Sequence, residues 1–354
     1  NGWVIAWTIG VVRTLSSLPA SSIVMTPAPP WAIALYETSL LASVPLARRG
    51  GATLAAGILV VATALTLSPP GWERPELKIT VLDVGQADAI VVETPGRHAI
   101  LVDAGGRLER GGTLGAGSQA EAIGERIVAP FLLREGIHSL DALVLSHPHG
   151  DHVGGCAPVL RKLHVAEVAD SGQTYGGHAY HDCLETAAGD HVPVVEPRAG
   201  MVWRTNDGVT LTFIGPSLPF IGGKNAINDN SIAFLLQYRS FRMLFTGDAG
   251  VAAEQRFLAS GIDLHADVLK VGHHGSAYSS SREFIAAVHP RYAIISVGRH
   301  NLFGHPAPST IATLAHFDVT FYRTDENGAI TIATNGTGVI SVSPLLHPLS
   351  RFLR

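Results

Sequence analysis

Residues 146–155, Ser-His-Pro-His-Gly-Asp-His-Val-Gly-Gly, form the most informative stretch of the chain. Within six of these residues lie four candidate metal ligands: His147, His149, Asp151 and His152. Side chains two apart on extended backbone share a side, so His147 and His149 can face one metal ion while Asp151 and His152 face a second. The apolar run at 141–145 predicts a buried strand that ends at this loop. Imidazole and carboxylate ligands suit zinc, manganese or iron.

Further candidate ligands follow two later strands. Residues 244–248, Leu-Phe-Thr-Gly-Asp, end a predicted strand with Asp248. Such a carboxylate is suited to bridge two cations roughly 3.5–4 Å apart. Residues 268–276 end another strand with His273 and His274. Adjacent side chains of a strand point to opposite faces, so we expect one of these histidines to bind metal and the other to face the substrate.

Short β-rich runs and helical segments surround these motifs. The predicted strands are 77–82, 89–93, 98–102, 141–145, 210–214, 231–238, 242–245, 267–271 and 292–297. An amphipathic helix is predicted at about 118–134. Pro95-Gly96 marks a hairpin turn, so the first strands are expected to be antiparallel. Two sheets with helices on their outer faces fit this order best.

The N-terminal region has a different composition. Charged residues make up 15% of the chain, and the mean hydropathy is +0.25. Segments 31–47 and 51–67 contain a single charged residue, Glu37, and predict two transmembrane helices, with buried core helices as the alternative. The run at 68–71, Ser-Pro-Pro-Gly, cannot continue a helix. It predicts a boundary between a membrane-spanning segment at 1–70 and a hydrolase domain at 71–354.

Charge and cysteine content narrow the partners and the compartment. A net charge of −4 excludes a global basic field, so any contact with a polyanion has to be local. Arg48 and Arg49 favour a cytoplasmic loop between the two apolar segments. This loop predicts that everything after residue 67 lies on the extracytoplasmic side. Cys156 and Cys183 lack the spacing of thiolate metal sites. Buried free thiols are the favoured interpretation, and a disulfide is the alternative for an extracytoplasmic domain.

Seven motifs resemble, in order, the metallo-β-lactamase-fold domain of the ComEC family, membrane proteins of DNA uptake in natural competence. They are LDVGQADA at 82–89, LVDAGG at 101–106, SHPHGDHVGG at 146–155, NDNS at 228–231, TGDA at 246–249, LKVGHHGS at 269–276 and NLFGHP at 301–306. The resemblance runs from Leu77 to about residue 338. It implies an α/β fold, an αββα sandwich with metal ions at the sheet edges, preceded by transmembrane α-helices.

The resemblance also implies a ligand set for two divalent ions, Zn²⁺ or Mn²⁺. The ligands implied for the first ion are His147 and His149, and those for the second are Asp151, His152 and His274, with Asp248 as the bridge. The implied catalytic roles are water positioning by Asp151 or Asp248, phosphate contact by His273, and leaving-group protonation or phosphate contact by His305. A structural role in closing its loop is the alternative for His305.

Other residues of the matching motifs are candidates for supporting the ligands. Many relatives of the wider fold supply a third histidine to the first metal ion, but Asn228 and Asp229 occupy that position here. We therefore expect the first ion to be held more weakly or to take Asp229 as a ligand, which favours a harder ion such as Mn²⁺. Asp83 and Asp103 are expected to orient ligands by hydrogen bonds, with plain turn or cap roles as the alternative. Two serines, Ser231 and Ser276, are candidates for substrate binding or ligand support.

These motifs predict a metal-dependent phosphodiesterase or nuclease within a DNA-uptake protein of the inner membrane. Its hydrolase domain would lie on the extracytoplasmic side and degrade the strand that is not imported. The implied partners are single-stranded DNA, the membrane and the uptake machinery. Two alternatives stay open: hydrolysis of a small phosphoester or lactone, because fold does not determine substrate, and a non-catalytic domain that guides DNA.

Overall fold

The computed structural model describes residues 2, 5, 7–11, 30–48, 51–67, 76–107 and 121–345 of the chain. The chain divides into two compact units. One unit comprises residues 1–73 with 131–137, and the other comprises 74–130 with 138–354. The predicted boundary at 68–71 lies outside the described residues.

Two helices dominate the first unit, α1 (Pro30–Arg48) and α2 (Ala52–Leu67). They coincide with the two segments predicted to be helical. Among the described residues, no helix has both the length and the apolar character needed to cross a membrane. The prediction of transmembrane helices is not confirmed.

The second unit contains seventeen short strands among its described residues. In chain order they are β1 (Leu77–Val81), β2 (Ala89–Glu93), β3 (Ala99–Ala104), β4 (Ser139–Leu140), β5 (Ala142–Val144), β6 (His164–Val165), β7 (Val168–Ala169), β8 (Val194–Val195), β9 (Val202–Arg204), β10 (Val209–Gly215), β11 (Ala233–Tyr238), β12 (Phe241–Phe245), β13 (Val268–Lys270), β14 (Tyr292–Ile295), β15 (Thr320–Arg323), β16 (Ile330–Thr334) and β17 (Ile340–Pro344).

Helical segments connect many of these strands. In chain order they are a π-helical turn (Gly124–Val128) that continues as α3 (Ala129–Arg134), α4 (Gly150–Val153), α5 (Cys156–Lys162), α6 (His178–Gly189), α7 (Ala226–Asp229), α8 (Val251–Ala259), a 3₁₀ turn (Gly272–Gly275), α9 (Arg282–Val288), α10 (Pro308–His316) and α11 (Thr324–Asn327). Of the predicted helix at about 118–134, residues 121–134 are helical and include the π-helical turn and α3, whereas residues 118–120 lie outside the described residues.

Fifteen of these strands form two large mixed sheets, and β4 pairs with β6 in a separate two-stranded sheet. The first has the order β17-β16-β1-β2-β3-β5-β7-β8, and the second has the order β15-β14-β13-β12-β11-β10-β9. Strands β1, β2 and β3 are antiparallel neighbours, as the Pro95-Gly96 turn predicted. β3, β5, β7 and β8 run parallel, as do β12, β13, β14 and β15. The carboxyl ends of parallel strands meet at one edge of a sheet, which is where open α/β sheets bind ligands.

Apolar side chains pack between the two sheets and again outside the second sheet. Phe234 and Phe245 stack in the inner core with ring centroids 4.7 Å apart. In the outer cluster, Phe257 of α8, Phe284 of α9 and Leu314 of α10 are buried beside strand residues. On the first sheet, α5 and α6 contact each other. The predicted α/β arrangement of two sheets with outer helices is confirmed.

The two cysteines lie on these neighbouring helices and form a disulfide. Cys156 of α5 and Cys183 of α6 are bonded, with Cα atoms 5.4 Å apart. Both side chains are fully buried. The favoured prediction of free thiols is wrong, because helix packing brings together two residues that are 27 positions apart in sequence. The alternative, a disulfide, is the one that the structure adopts.

Candidate metal centre

The candidate ligands lie where parallel strands of the two sheets end. Asp103 is the second-last residue of β3, and the loop after β5 carries His147 and His149 into α4. On the second sheet, Asp248 follows β12, and the 3₁₀ turn after β13 carries His274. Gly247 has a φ of 51°, a left-handed conformation that costs glycine little. A Cβ at this position would lie 2.9 Å from the Cβ atoms of Ser146 and Ser231, so the sharp turn before Asp248 requires glycine.

Four of the predicted ligands form one buried cluster. Each of Asp151, His152, Asp248 and His274 offers one ligand atom, and these atoms all lie within 4.8 Å of one another. The Nε2 atom of His152 is 3.4 Å from Oδ1 of Asp248. The Nε2 atom of His274 is 3.6 Å from Oδ2 of Asp151 and 3.8 Å from Oδ2 of Asp248. Side chains from both sheets therefore converge on one point.

The cluster contains polar atoms whose bonding capacity is not used within the protein. Four buried atoms lack a hydrogen-bond partner among the described residues: Oδ1 of Asp151, Nε2 of His152, Oδ1 of Asp248 and Nε2 of His274. Leaving such atoms unsatisfied costs about 1–3 kcal/mol each, and more for charged groups. A divalent cation satisfies carboxylate oxygens and imidazole nitrogens together. The donor set fits a metal ion.

Hydrogen bonds determine which nitrogen of each histidine is available to a metal ion. The Nδ1 atom of His152 lies 2.8 Å from Oδ2 of Asp103. The Nδ1 atom of His274 lies 2.9 Å from the carbonyl oxygen of Ser296. Because both partners accept, Nδ1 keeps its proton when each ring is neutral, and the proton that a metal ion would displace is the one on Nε2, which faces the cluster. The prediction that Asp103 supports the ligands agrees with this geometry.

The histidines His147 and His149 form a second pair beside the cluster. Ser146 donates its hydroxyl proton to Asp103, at 2.8 Å, so its oxygen accepts from Nδ1 of His147, at 3.1 Å. The lone pair of His147 is then on Nε2, which lies 3.0 Å from Nδ1 of His149 and 3.9 Å from Oδ2 of Asp248. The two nitrogens are close enough to face one ion, and ligation by this pair stays a prediction.

The pKa values of these groups reflect strong mutual electrostatics. Burial alone would raise the pKa of Asp248, but the positive fields of His152 and His274 outweigh it and hold that pKa well below the usual value. Burial alone would lower the pKa of His152, but Asp248 and Asp103 hold it well above the usual value. Burial, followed by repulsion from His152, lowers the pKa of His147 well below its usual value. A neutral His147 keeps its lone pair.

His273 and His274 differ in placement, but not for the predicted reason. They lie beyond β13 in the 3₁₀ turn, with left-handed φ values of 48° and 54°. Strand alternation therefore does not apply to them, and the prediction based on it is wrong in its reasoning. The His274 side chain is 2% exposed within the cluster, whereas that of His273 is 26% exposed and its Nε2 lies 3.7 Å from Oδ2 of Asp248. The difference in role stays a prediction.

The segment predicted to supply a third ligand to the first ion lies beside His273. The Nδ2 atom of Asn228 is 3.4 Å from His273, and Oδ1 of Asn228 is buried without a partner among the described residues. Ser231 donates to the carbonyl oxygen of Asn228 and accepts from the backbone N–H of Asp248. Asp229 instead accepts a hydrogen bond from the Gly250 N–H at 3.0 Å. The structure groups Asn228 and Ser231 with the site.

Two other predicted residues lie away from the buried cluster. Asp83 is exposed, and the charged groups that act on it are Arg299 and Asp325. The hydroxyl oxygen of Ser276 accepts the backbone N–H of Tyr278 at 3.2 Å, within the loop that follows the 3₁₀ turn. The structure gives Ser276 a role in loop geometry and does not bring Asp83 to the ligands.

His305 lies beside the partly exposed His273, and these two residues define the open side of the site. The His305 ring centroid is 5.6 Å from that of His273 and 6.5 Å from that of His274. Gln86 accepts the Gly298 N–H through Oε1, so its Nε2 donates to Nδ1 of His305 at 3.3 Å and leaves the ring proton on Nε2. Burial, followed by repulsion from His274, lowers the pKa of His305 to about 4. A neutral N–H fits phosphate contact better than proton donation to a leaving group.

A buried ion pair beneath the cluster was not predicted from the sequence. Asp88 and Lys270 are each 1% exposed, and Nζ of Lys270 lies 2.7 Å from Oδ2 of Asp88. The other carboxylate oxygen of Asp88 lies 3.5 Å from Nδ1 of His274. The backbone N–H of Asp88 donates to the carbonyl oxygen of Asp151 at 3.3 Å. This pair connects the two sheets directly behind the ligands.

Sequence comparisons agree with the motifs. A family model described as the metallo-beta-lactamase superfamily matches residues 82–299. ComE operon protein 3 of Bacillus subtilis is 31% identical over 272 residues, which cover 76% of this chain and 34% of that protein. Competence protein ComA of Neisseria gonorrhoeae is 29% identical over 324 residues, which cover 91% of this chain and 41% of that protein. Recombination protein 2 of Haemophilus influenzae is 31% identical over 267 residues, which cover 75% of this chain and 29% of that protein. The chain thus spans less than half the length of these relatives.

The solved structures that match this chain are distant in sequence. The metallo-beta-lactamase fold protein YhfI from Bacillus subtilis is 12% identical, with a TM-score of 0.48, and the match covers 73% of this chain and all of that one. The metallo hydrolase Igni18 from Ignicoccus hospitalis is 14% identical, with a TM-score of 0.45, covering 72% of this chain and 98% of that one.

Proposed function

This chain belongs to the metallo-β-lactamase superfamily and is homologous to competence proteins of the ComEC family, and from that premise we propose that it is a metal-dependent phosphodiesterase that cleaves DNA during uptake. The observation that carries the proposal is the buried cluster of Asp151, His152, Asp248 and His274 with its unsatisfied ligand atoms. Such a donor set suits the divalent cations that assist phosphodiester hydrolysis.

Each residue of the site has a part in this proposal. His152, His274 and Asp151 would hold one ion and His147 and His149 the other, with Asp248 within 3.9 Å of a nitrogen of each group. Bound Zn²⁺ or Mn²⁺ ions supply Lewis-acid stabilisation of the charge that develops on phosphate oxygens. Asp103 and Ser146 hold the imidazole rings in the orientation that keeps Nε2 available.

Two histidines at the open side of the site are placed to meet the substrate. His273 is partly exposed, and Asn228 lies within 3.4 Å of its ring. His305 presents an Nε2–H whose direction is held by the hydrogen bond from Gln86 to Nδ1. In the proposed mechanism these groups orient the phosphate by hydrogen bonds, and the carboxylates of Asp151 and Asp248 orient the attacking water.

The disulfide supports a location outside the cytoplasm. Disulfides form and persist in oxidising compartments and are rare in the cytosol, so the bonded pair of Cys156 and Cys183 favours an extracytoplasmic domain. Membrane attachment, partnership with the uptake machinery and degradation of the non-imported strand belong to the same proposal, and what supports them is the homology to competence proteins.

A hydrolysis assay tests the proposed activity. The full chain is incubated with Mn²⁺ or Zn²⁺ and, separately, single-stranded DNA, double-stranded DNA, bis(p-nitrophenyl) phosphate and a lactone. We expect DNA cleavage that requires metal and falls by at least about 100-fold in Asp248→Ala, because several kcal/mol of charge stabilisation are lost.

The matched control is Glu185→Ala, which removes an exposed carboxylate from α6 and should leave activity unchanged. Full activity in Asp248→Ala would contradict the assignment of the site. Turnover of the lactone alone would contradict the substrate class. Binding of DNA without cleavage under any metal condition would favour the DNA-guiding alternative.

A further inference from the structure

An aromatic side chain stands exposed beside the candidate site on a loop that hydrogen bonds hold in one shape. Phe303 is 50% exposed, and its neighbour Leu302 is 77% exposed. Asn301 donates to the carbonyl oxygens of Gly298 and His305, at 3.0 and 2.7 Å. Its Oδ1 accepts the backbone N–H groups of Phe303 and His305, at 3.1 and 3.0 Å. The loop at 298–305 is therefore built to keep the phenyl ring at the surface.

The exposed ring begins a row of rings that ends at the cluster. The Phe303 and His305 rings stack with centroids 5.6 Å apart and an interplanar angle of 26°. The His305 and His273 rings are also 5.6 Å apart, in an edge-to-face arrangement. His273 then lies 3.7 Å from Asp248. Phe303 is thus two ring contacts from the histidine that borders the ligands.

A positive charge accompanies the exposed ring. Arg299 is exposed and donates to the main-chain oxygen of Asp325 at 2.9 Å, and the carboxylate of Asp83 is close enough to interact with its charge. The carboxylate of Asp325 is itself paired with Arg323 at 2.7 Å. The loop therefore carries an apolar ring and a cation within four residues of each other. Phosphate attraction combined with base stacking on aromatic rings is how proteins bind single-stranded nucleic acid without sequence preference.

We propose that Phe303 is a stacking platform for a nucleobase adjacent to the scissile phosphate, which makes single-stranded nucleic acid the preferred substrate. This inference rests on the phosphodiesterase function proposed above and specifies its substrate. A base within a duplex is stacked on its neighbours and cannot lie on Phe303, whereas a single-stranded base can. The row of rings holds the base at a defined distance from Asp248.

The test compares substrates with and without bases. Wild type, Phe303→Leu and Phe303→Trp are assayed on a thymidine oligonucleotide and on an abasic oligonucleotide of the same length and charge. Phe303→Leu keeps an apolar side chain but removes the aromatic face. We expect it to raise KM for the thymidine oligonucleotide about tenfold, as loss of one base–aromatic contact implies, with kcat and the abasic substrate unaffected. Phe303→Trp should restore the wild-type KM.

A substitution at another exposed apolar residue serves as the control. Val339→Ala truncates another exposed apolar residue, which is 65% exposed in the turn between β16 and the edge strand β17. This substitution should leave KM and kcat unchanged on both oligonucleotides. An equal rise of KM on both substrates, or no rise on either, would overturn the stacking proposal.

Failure of the proposed function has a different signature, because wild type would then cleave neither oligonucleotide. In that case fluorescence anisotropy with the same two oligonucleotides decides the stacking question. A wild-type preference for the base-bearing strand that Phe303→Leu reduces about tenfold supports the platform, and equal Kd values in the two proteins overturn it.

Discussion

Replacing Lys270 with methionine tests whether the ion pair behind the cluster is as desolvated as its geometry indicates. Lys270→Met leaves the carboxylate of Asp88 at 1% exposure without its partner, 2.7 Å away in the wild type. Removing one member of a buried pair costs about 3–5 kcal/mol, because the remaining charge is neither solvated nor neutralised. The substitution also removes the donor that bonds the carbonyl oxygen of Val271 at 3.0 Å. We expect the free energy of unfolding to fall by about 4 kcal/mol.

Urea denaturation followed by circular dichroism measures this change. Asp88→Asn added to Lys270→Met removes the unpaired charge and should recover about 2 kcal/mol or more, which a double-mutant cycle reports as coupling between the two positions. The matched control is the solvent-accessible pair of Lys78 and Glu93, 3.0 Å apart with side chains 34% and 25% exposed. Lys78→Met should cost less than about 1 kcal/mol. A similarly small cost for Lys270→Met would refute the reasoning.

Two further substitutions test the orientation of His152 by Asp103 and the contribution of the disulfide to stability. Asp103→Asn weakens the acceptor that holds His152 at 2.8 Å and should lower the affinity for Mn²⁺ or Zn²⁺ by about 10–100-fold in calorimetric titration, and an unchanged affinity would show that Asp103 does not orient the ring. The double substitution Cys156→Ala with Cys183→Ala opens a loop of 27 residues and should lower the free energy of unfolding by about 3.5 kcal/mol, with reductant having a similar effect on wild type. A stability insensitive to reductant would mean that these cysteines are not bonded in solution.

The histidine-rich loop could be located from sequence because its pattern is local. The spacing within residues 146–155 predicts one pair of ligands for each metal ion. The apolar strand before this loop indicates that the ligands lie at a strand end. Asp248 and His274 were recognisable for the same reason, since each follows a strand and each belongs to a short motif. Parallel strands then bring these ends to one edge, which is a property of the sheet and not of any single motif.

Contacts between distant segments could not be predicted in this way. Asp88 follows the loop after β1, and Lys270 ends β13, so only the packing of one sheet on the other brings them together. The disulfide depends in the same way on the packing of α5 against α6. Strands of two residues, such as β6 and β8, lack the alternation that identifies longer strands.

The histidine pair illustrates a failure of periodicity. Extended backbone predicts opposite directions for His273 and His274, but both residues adopt left-handed φ values in a turn. Positive φ outside glycine is uncommon and is not signalled by a local pattern. The direction of each ring follows instead from its partner, such as the Ser296 carbonyl oxygen for His274. Such partners are known only from the three-dimensional structure.

The proposed function requires that Asp151, His152, Asp248 and His274 hold a divalent metal ion. Titration of the chelator-treated full chain with Mn²⁺ or Zn²⁺ in a calorimeter tests it most directly, with Asp248→Asn as the variant because asparagine keeps the shape of the side chain and removes its charge. We predict two bound ions in wild type and an affinity at least about 100-fold lower in the variant, since metal ligation requires the deprotonated carboxylate. Equal stoichiometry and affinity in the two proteins would contradict the claim.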